Sequence, residues 1–172
     1  KYPNNIVYKR LDEDPGIYAV WNMAAKMATG QFLTNANLDD RKAPNALERH
    51  AIELYNNPEV DLVYSNMLIT HKANETFENN SSNGQAYNFP DFSFENLLRG
   101  NMPHASPMWR KTVHDEYGYF EEKYRSAADW EMWLRAASQG SVFKKFNDIV
   151  GLYYFNPTGM STNPEHDGWK RK

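Results

Sequence analysis

A chain of 172 residues can bury one sizeable hydrophobic core and is short for two. Its 41% apolar content argues against disorder, and a net charge of −3 without a basic stripe argues against nucleic-acid binding, whose affinity comes mainly from neutralised phosphates. With no cysteine, disulfide frameworks, thiolate zinc sites and cysteine nucleophiles are excluded.

Lys1 to Asn5 leads into no apolar run of the signal-peptide kind, and nothing in the chain approaches the roughly 20 apolar residues that span a bilayer. A soluble, cytoplasmic protein is expected, or one peripheral to the cytoplasmic membrane face, with an anchor elsewhere in a longer parent chain left open. Ile6-Val7-Tyr8 reads as a strand closed by the turn residues Asp12 to Gly16. Val20, Trp21, Ala24, Ala25 and Ala28 recur at helical spacing before Gly30. Phe32-Leu33-Thr34 starts a second strand that runs into Asn37-Leu38-Asp39-Asp40. Pro44 then opens a helix with an apolar face of Leu47, Ala51, Leu54 and Tyr55, and a third strand covers Val60 to Tyr64. Strand, helix, strand, helix, strand predicts an α/β fold with a mostly parallel sheet.

Residues 71–91 break the rhythm and read as a mobile surface loop around Asn79 to Gly84. Short helices follow at Phe94 to Leu98 and Thr112 to Tyr117, with strand-like Met108-Trp109 between them. Trp130, Trp133, Leu134 and Ala137 mark an amphipathic helix stopped by Gly140. Val142 to Phe146 and Val150 to Phe155 complete the elements as two strands. No linker divides the chain, so residues 1–172 form a single domain. The 15% aromatic share, including Trp109, Trp130 and Trp133, is expected to fill the core first, although flat rings also suit sugars.

Two acidic positions carry the candidate chemistry. Asn37-Leu38-Asp39-Asp40 stands where a strand ends, the place at which ligands gather in open α/β sheets. Carboxylates there could hold a hard divalent cation and, through it, a diphosphate. On spacing alone, turn and N-cap roles are the better reading. Asp129 stands at the start of the Trp-rich helix, and Ser126-x-x-Asp129 has the form of a capping box.

The order of motifs resembles glycosyltransferase family 2. Gly16-x5-Asn22, then Ala28-x-Gly30 before an apolar strand, then Asn37-x-Asp39-Asp40 follows that family's Gly-x5-Asn, Ala-x-Gly and Asp-x-Asp-Asp elements, with Asn37 in place of the first Asp. Gly118-x-Phe120-x-Glu122 and Asp129-x3-Trp133-Leu134-Arg135 follow its second signature, with Ala128 in place of the first acid of the pair. The resemblance implies a nucleotide-diphospho-sugar transferase (GT-A) fold and metal-dependent, inverting transfer from a nucleotide-sugar, a UDP-sugar foremost, to a hydroxyl of a glycan or lipid-linked acceptor. It implies Mn²⁺ or Mg²⁺ on Asp39 with Asn37 in support, Asp40 and Asn22 on the donor side, and Asp129 as the general base. His104 and Trp130 would lie on the acceptor side. Polysaccharide or lipid-linked glycan synthesis is that family's common setting.

The remaining histidines, His50, His71, His114 and His166, show no metal-ligand spacing, and His50 reads as a surface or half-buried helical residue. No Gly-rich phosphate loop is present, which removes P-loop and dinucleotide-binding readings. Members of the family begin with an apolar strand, a helix and a strand ending in Asp-Asp-Gly-Ser. None of these is found here, so an N-terminally incomplete domain is expected, with open sheet edges through which a homodimer could pair. The rival expectation is a non-catalytic binding or assembly module, favoured by the loss of acids at Asn37 and Ala128.

Overall fold

The computed structural model describes residues 5–160, 162, 163 and 165; Lys1 to Asn4, Ser161 and His166 lie outside the described residues. Helix α1 (Ile17–Met27) starts at Gly16, whose φ of +94° suits only glycine well. Its buried stripe is Tyr18, Ala19, Asn22 and Ala25, while Val20 and Ala24 face solvent. The apolar count thus placed the face a step away from where it lies. Two polar-tipped residues, Tyr18 and Asn22, turn inward because each finds a hydrogen-bond partner there.

The same correction holds for helix α2 (Ala46–Asn56). It buries Ala46, His50 and Leu54, one residue per turn, and leaves Leu47 and Tyr55 exposed. His50 is therefore a core residue. Its ring nitrogens face the Ala46 and Ser106 carbonyls at 2.6 and 3.0 Å, and its edge packs on Phe146.

Six strands form one sheet: β1 (Phe32–Thr34), β2 (Arg41–Lys42), β3 (Leu62–Thr70), β4 (Ala86–Tyr87), β5 (Met108–Arg110) and β6 (Phe143–Tyr154). The order is β1-β5-β3-β6-β2, with β4 beside the far end of β3. Only β3 and β6 pair in parallel; the other ladders are antiparallel. The expectation of a mostly parallel sheet is corrected to a mixed one. β1 and β3 do run the same way, as strand–helix–strand alternation requires, but β5 enters between them in the opposite sense. The two strands expected after residue 142 are one, β6, whose register against β3 shifts near Ser65 and Asn66. Ile6, Val7 and Tyr8 form no strand and are 71–82% exposed, since strand propensity needs a partner edge to become a strand.

Period-2 alternation sorts the core. Leu62 and Tyr64 face one layer with Trp109, Met132, Trp133 and Phe143, under α1 and two further helices, α3 (Phe94–Arg99) and α5 (Ala128–Ser138). Val63 and Met108 face the other layer with Leu54, Phe146 and Val150, under α2. Full burial of a residue such as Leu62 or Met132 stabilises the fold by about 1.5–3 kcal/mol. The sheet's ends are short, three residues in β1 and two in β2, which limits them as templates for another chain. In the 71–91 segment, Glu75 gathers the Thr70 hydroxyl and the Ser81 amide and hydroxyl, and β4 ties the segment to β3.

Helix α4 (Thr112–Tyr117) places His114 against Trp109. The Trp109 indole N–H donates to His114 Nε2 at 3.1 Å, and His114 Nδ1 lies 3.2 Å from the Gly118 carbonyl. A neutral ring satisfies both contacts, and burial depresses the imidazole below its usual range. This contribution is complete above the unfolded value near 6.5 and is lost as pH falls through the lower folded value. The melting temperature is accordingly expected to fall between about pH 7.5 and pH 5, and less steeply in His114→Gln, as thermal unfolding followed by circular dichroism would report.

At Gly151, which pairs with Lys42, an added Cβ would lie 2.7 Å from Met67 Cε and 3.0 Å from the Arg41 carbonyl oxygen. The Met67 end can swing aside, but the β2 backbone cannot. Gly151→Ala should destabilise the fold by about 1–3 kcal/mol in a denaturant titration.

Candidate active site

Two ends of the sheet scaffold converge on one open cavity of about 940 Å³. The loop after β1 brings Asn35, Asn37, Asp39 and Asp40 to it, and the start of α5 brings Asp129 and Trp130. Asn101 and His104, from the segment between α3 and β5, form a further part of its wall.

The loop after β1 is held from both sides. Asp40 Oδ1 accepts the Tyr154 N–H at 3.0 Å and Oδ2 accepts Asn37 Nδ2 at 2.8 Å. Burial pushes the Asp40 carboxyl upward, against the pull of these two donors. Arg41 donates to the Leu38 and Asp40 carbonyls at 3.0 and 2.7 Å. The rigid loop leaves Asp39 exposed, with no hydrogen bond from a described residue, and leaves Asn37 its amide oxygen. Among the described residues no three His, Cys, Asp or Glu side chains cluster to cage a metal. One carboxylate and one amide oxygen do fit a hard cation that completes its shell with substrate phosphate oxygens and water.

Asp129 occupies the first turn of α5, yet the expected capping box does not form. The N-cap is Ala127, in the left-handed region at φ +65°, whose side chain makes no capping hydrogen bond. The carboxylate instead faces the cavity wall. The Tyr18 hydroxyl donates to Oδ1 at 3.0 Å and Asn101 Nδ2 donates to Oδ2 at 2.7 Å. Burial, reinforced by the Asp129 charge, pushes the Tyr18 phenol well above its usual range, so it stays a donor. Arg135 braces the approach to the helix, donating to the Tyr117 carbonyl and, at 2.8 Å, to the Tyr119 carbonyl while pairing with Glu131 at 2.9 Å.

The structure brings together Asn37, Asp39, Asp40, Asp129, His104 and Trp130 on this cavity and leaves Asn22 out of it. Asn22 is 3% exposed, and its amide bonds the Phe120 carbonyl and N–H at 2.8 and 3.0 Å and reaches Glu122 Oε1 at 3.0 Å. The donor-side role expected of Asn22 is corrected to that of a clamp between α1 and the segment before α5. His104 packs on Tyr153 and Tyr87, with ring centroids 4.8 and 5.2 Å away. Trp130 donates its indole N–H to the Leu97 carbonyl, whereas Trp109 and Trp133 are core residues. Sequence reasoning missed Tyr18 and, as a partner of Asp129, Asn101. The only available signal was the position of Asn101 in the Asn101-Met-Pro-His104 segment.

Comparison with known proteins agrees with this architecture. The chain belongs to glycosyl transferase family 2, whose pattern it matches over residues 1–118, a stretch that includes Asp39 and Asn101 and ends before Asp129. It is 29% identical over 170 residues to the uncharacterized glycosyltransferase YwdF of Bacillus subtilis, covering 94% of this chain and 59% of that one. It is 24% identical over 151 residues to a PGL/p-HBAD biosynthesis glycosyltransferase of Mycobacterium tuberculosis, covering 87% and 55%. The chain thus spans little more than half the length of these curated relatives. The fold is shared with the crystal structure of S. aureus TarS in complex with UDP-GlcNAc, with a TM-score of 0.67, 19% identity and 89% and 44% of the two chains covered. No helix among the described residues is long and apolar enough to cross a membrane.

Replacing Asn22 by Leu keeps its bulk and strands the Phe120 N–H and carbonyl. Asn22→Leu should cost about 2–6 kcal/mol of stability, measured by chemical denaturation, since each of the two stranded groups costs about 1–3 kcal/mol.

Proposed function

We propose that this chain carries the reaction centre of an inverting, metal-dependent glycosyltransferase that moves a sugar from a UDP-sugar to a hydroxyl of a glycan or lipid-linked acceptor. The observation that carries the reading is one cavity lined both by an exposed carboxylate, Asp39, and by a carboxylate, Asp129, held by two neutral donors. TarS, whose fold this chain shares, was crystallised with UDP and with UDP-GlcNAc, which supports a nucleotide-sugar donor.

Asp129 is the general base. Tyr18 and Asn101 orient its carboxylate without neutralising it, leaving each oxygen a further lone pair for an acceptor hydroxyl. As that hydroxyl loses its proton to Asp129, its oxygen bonds to the anomeric carbon. The bond from that carbon to the diphosphate breaks, and the electron pair departs with the nucleoside diphosphate. Displacement from the opposite face inverts the anomeric configuration. Asp39 and the Asn37 amide oxygen would hold a divalent cation, which supplies Lewis-acid neutralisation of the leaving diphosphate. Asp40 fixes this loop on β6 and, with one donor on each oxygen, keeps a further lone pair on each for the donor side. His104 and Trp130, which line the same cavity, would meet the acceptor.

Calorimetric titration of UDP into the native polypeptide, with and without Mn²⁺, tests the donor half. Binding that needs Mn²⁺ and disappears in Asp39→Ala is expected. Asp129→Asn should keep that binding and lose about 10²–10⁴-fold in sugar transfer. A folded native protein that binds no nucleoside diphosphate would turn the reading to a non-catalytic module, for which the acids missing at Asn37 and Ala128 already speak.

A further inference from the structure

Helices α3 and α5 pack against each other, and beside their contact lies a second concavity, an open groove of about 520 Å³. Phe94 and Leu98, one turn apart on α3, line it together with Trp130 and Leu134, one turn apart on α5, and with Tyr124. Phe94, Leu98 and Tyr124 are 42%, 57% and 39% exposed, so the groove offers accessible apolar surface. Scattered exposed apolar residues are ordinary, but here they gather on the stripes of two neighbouring helices. The groove also runs into the reaction cavity, because Ser126, Ala127 and Trp130 line both. The Trp130 indole N–H is committed to the Leu97 carbonyl at 2.7 Å, which leaves its ring to act as an apolar wall. From Trp130 to Ser138 the groove follows α5 for about 12 Å at the helical rise.

The polar side chains of the groove are occupied by the protein itself. Glu131 and Arg135 pair at 2.9 Å, Arg135 also donates to the Tyr117 and Tyr119 carbonyls, and the Ser138 hydroxyl donates to the Arg135 carbonyl at 2.8 Å. A glycan laid along the groove would give up hydration for few hydrogen bonds in return, whereas an alkyl chain or aryl ring gains by leaving water. A hydroxyl presented to Asp129 carries the rest of its molecule out of the cavity, and on the Trp130 side the way out is this apolar surface. We propose that the groove between α3 and α5 seats the apolar body of the acceptor, whose hydroxyl reaches Asp129 past Trp130. The assignment rests on the glycosyltransferase reading above and narrows its acceptor to a hydroxyl compound with an alkyl or aryl portion.

The probes are octyl β-glucoside, kept below its micelle-forming concentration, and methyl β-glucoside, titrated into the native polypeptide and followed by ligand-observed NMR. Wild type should bind the octyl compound at least about tenfold more tightly than the methyl one, the scale of one well-buried apolar group. Leu98→Gln should erase that preference and Leu98→Met should keep it, with thermal melts showing both variants folded. With UDP and paramagnetic Mn²⁺ present, the sugar-ring protons of bound octyl glucoside should broaden more than its terminal methyl, because the chain points away from Asp39. Equal binding of the two glucosides, or a preference that survives Leu98→Gln, would overturn the proposal. So would broadening greatest at the terminal methyl. A wild-type dimer in sedimentation velocity that Leu98→Gln converts to monomer would give the groove to a second copy and overturn it as well. A wild type that binds no UDP with Mn²⁺ would overturn the glycosyltransferase reading, and the acceptor role with it, whatever the glucosides do.

Discussion

The parallel pairing of β3 with β6 is the constraint on which the rest of this structure depends. β3 has a core on each face and strands on both edges, so nearly all of it is buried. From one edge, β5 and then β1 are added, and the end of β1 launches the loop that carries Asn37, Asp39 and Asp40. From the other, β6 takes β2, and the Tyr154 N–H at the end of β6 fastens Asp40. Asp39 is therefore placed by strand pairing at both ends of its loop. The close approach of β2 to β6 at Gly151 is part of the same device, since any side chain there would press on the Arg41 carbonyl.

Asp129 is placed by different means. Apolar packing of Met132, Trp133 and Ala136 seats α5 on the sheet, but packing sets only where the helix lies, not where a carboxylate points. Direction comes from polar links between distant parts of the chain. Tyr18 is 111 residues away and Asn101 is 28. The Asn22 clamp on Phe120 keeps α1 in register with the segment leading to α5, and the Arg135 bonds to the Tyr117 and Tyr119 carbonyls brace that segment from the other side. The ring contacts of Tyr18, Trp21 and Phe120 fill the space between these bonds.

Of the four non-glycine residues with positive φ among the described residues, Asn74 and Asn83 lie in the 71–91 segment and the other two lie on the cavity. Ala127 and His104 hold positive φ angles without being glycine, and both line the cavity. Backbone held in such conformations costs about 1–3 kcal/mol and persists only where the surroundings over-determine it. Here they do, because the two core layers are continuous on either side of the sheet.

The amino-acid sequence by itself determined the α/β class, the position of every helix among the described residues, and the two acidic positions at element ends, because these rest on local periodicity and on short motifs. Only the tertiary structure decided the rest. Sheet order and strand direction depend on which edges meet, and no local pattern records that β5 enters between β1 and β3. Helix faces came out rotated in α1 and α2 because Tyr18, Asn22 and His50 pay for burial with hydrogen bonds to residues far along the chain, which apolar counting cannot register. The same physics separates the candidate residues. Asp39 and Asp129 were legible as carboxylates at element ends, whereas the inward turn of Asn22, the grip of Tyr18 and Asn101 on Asp129, and the unpaired oxygens of Asn35 and Asn101 exist only once distant segments are brought together.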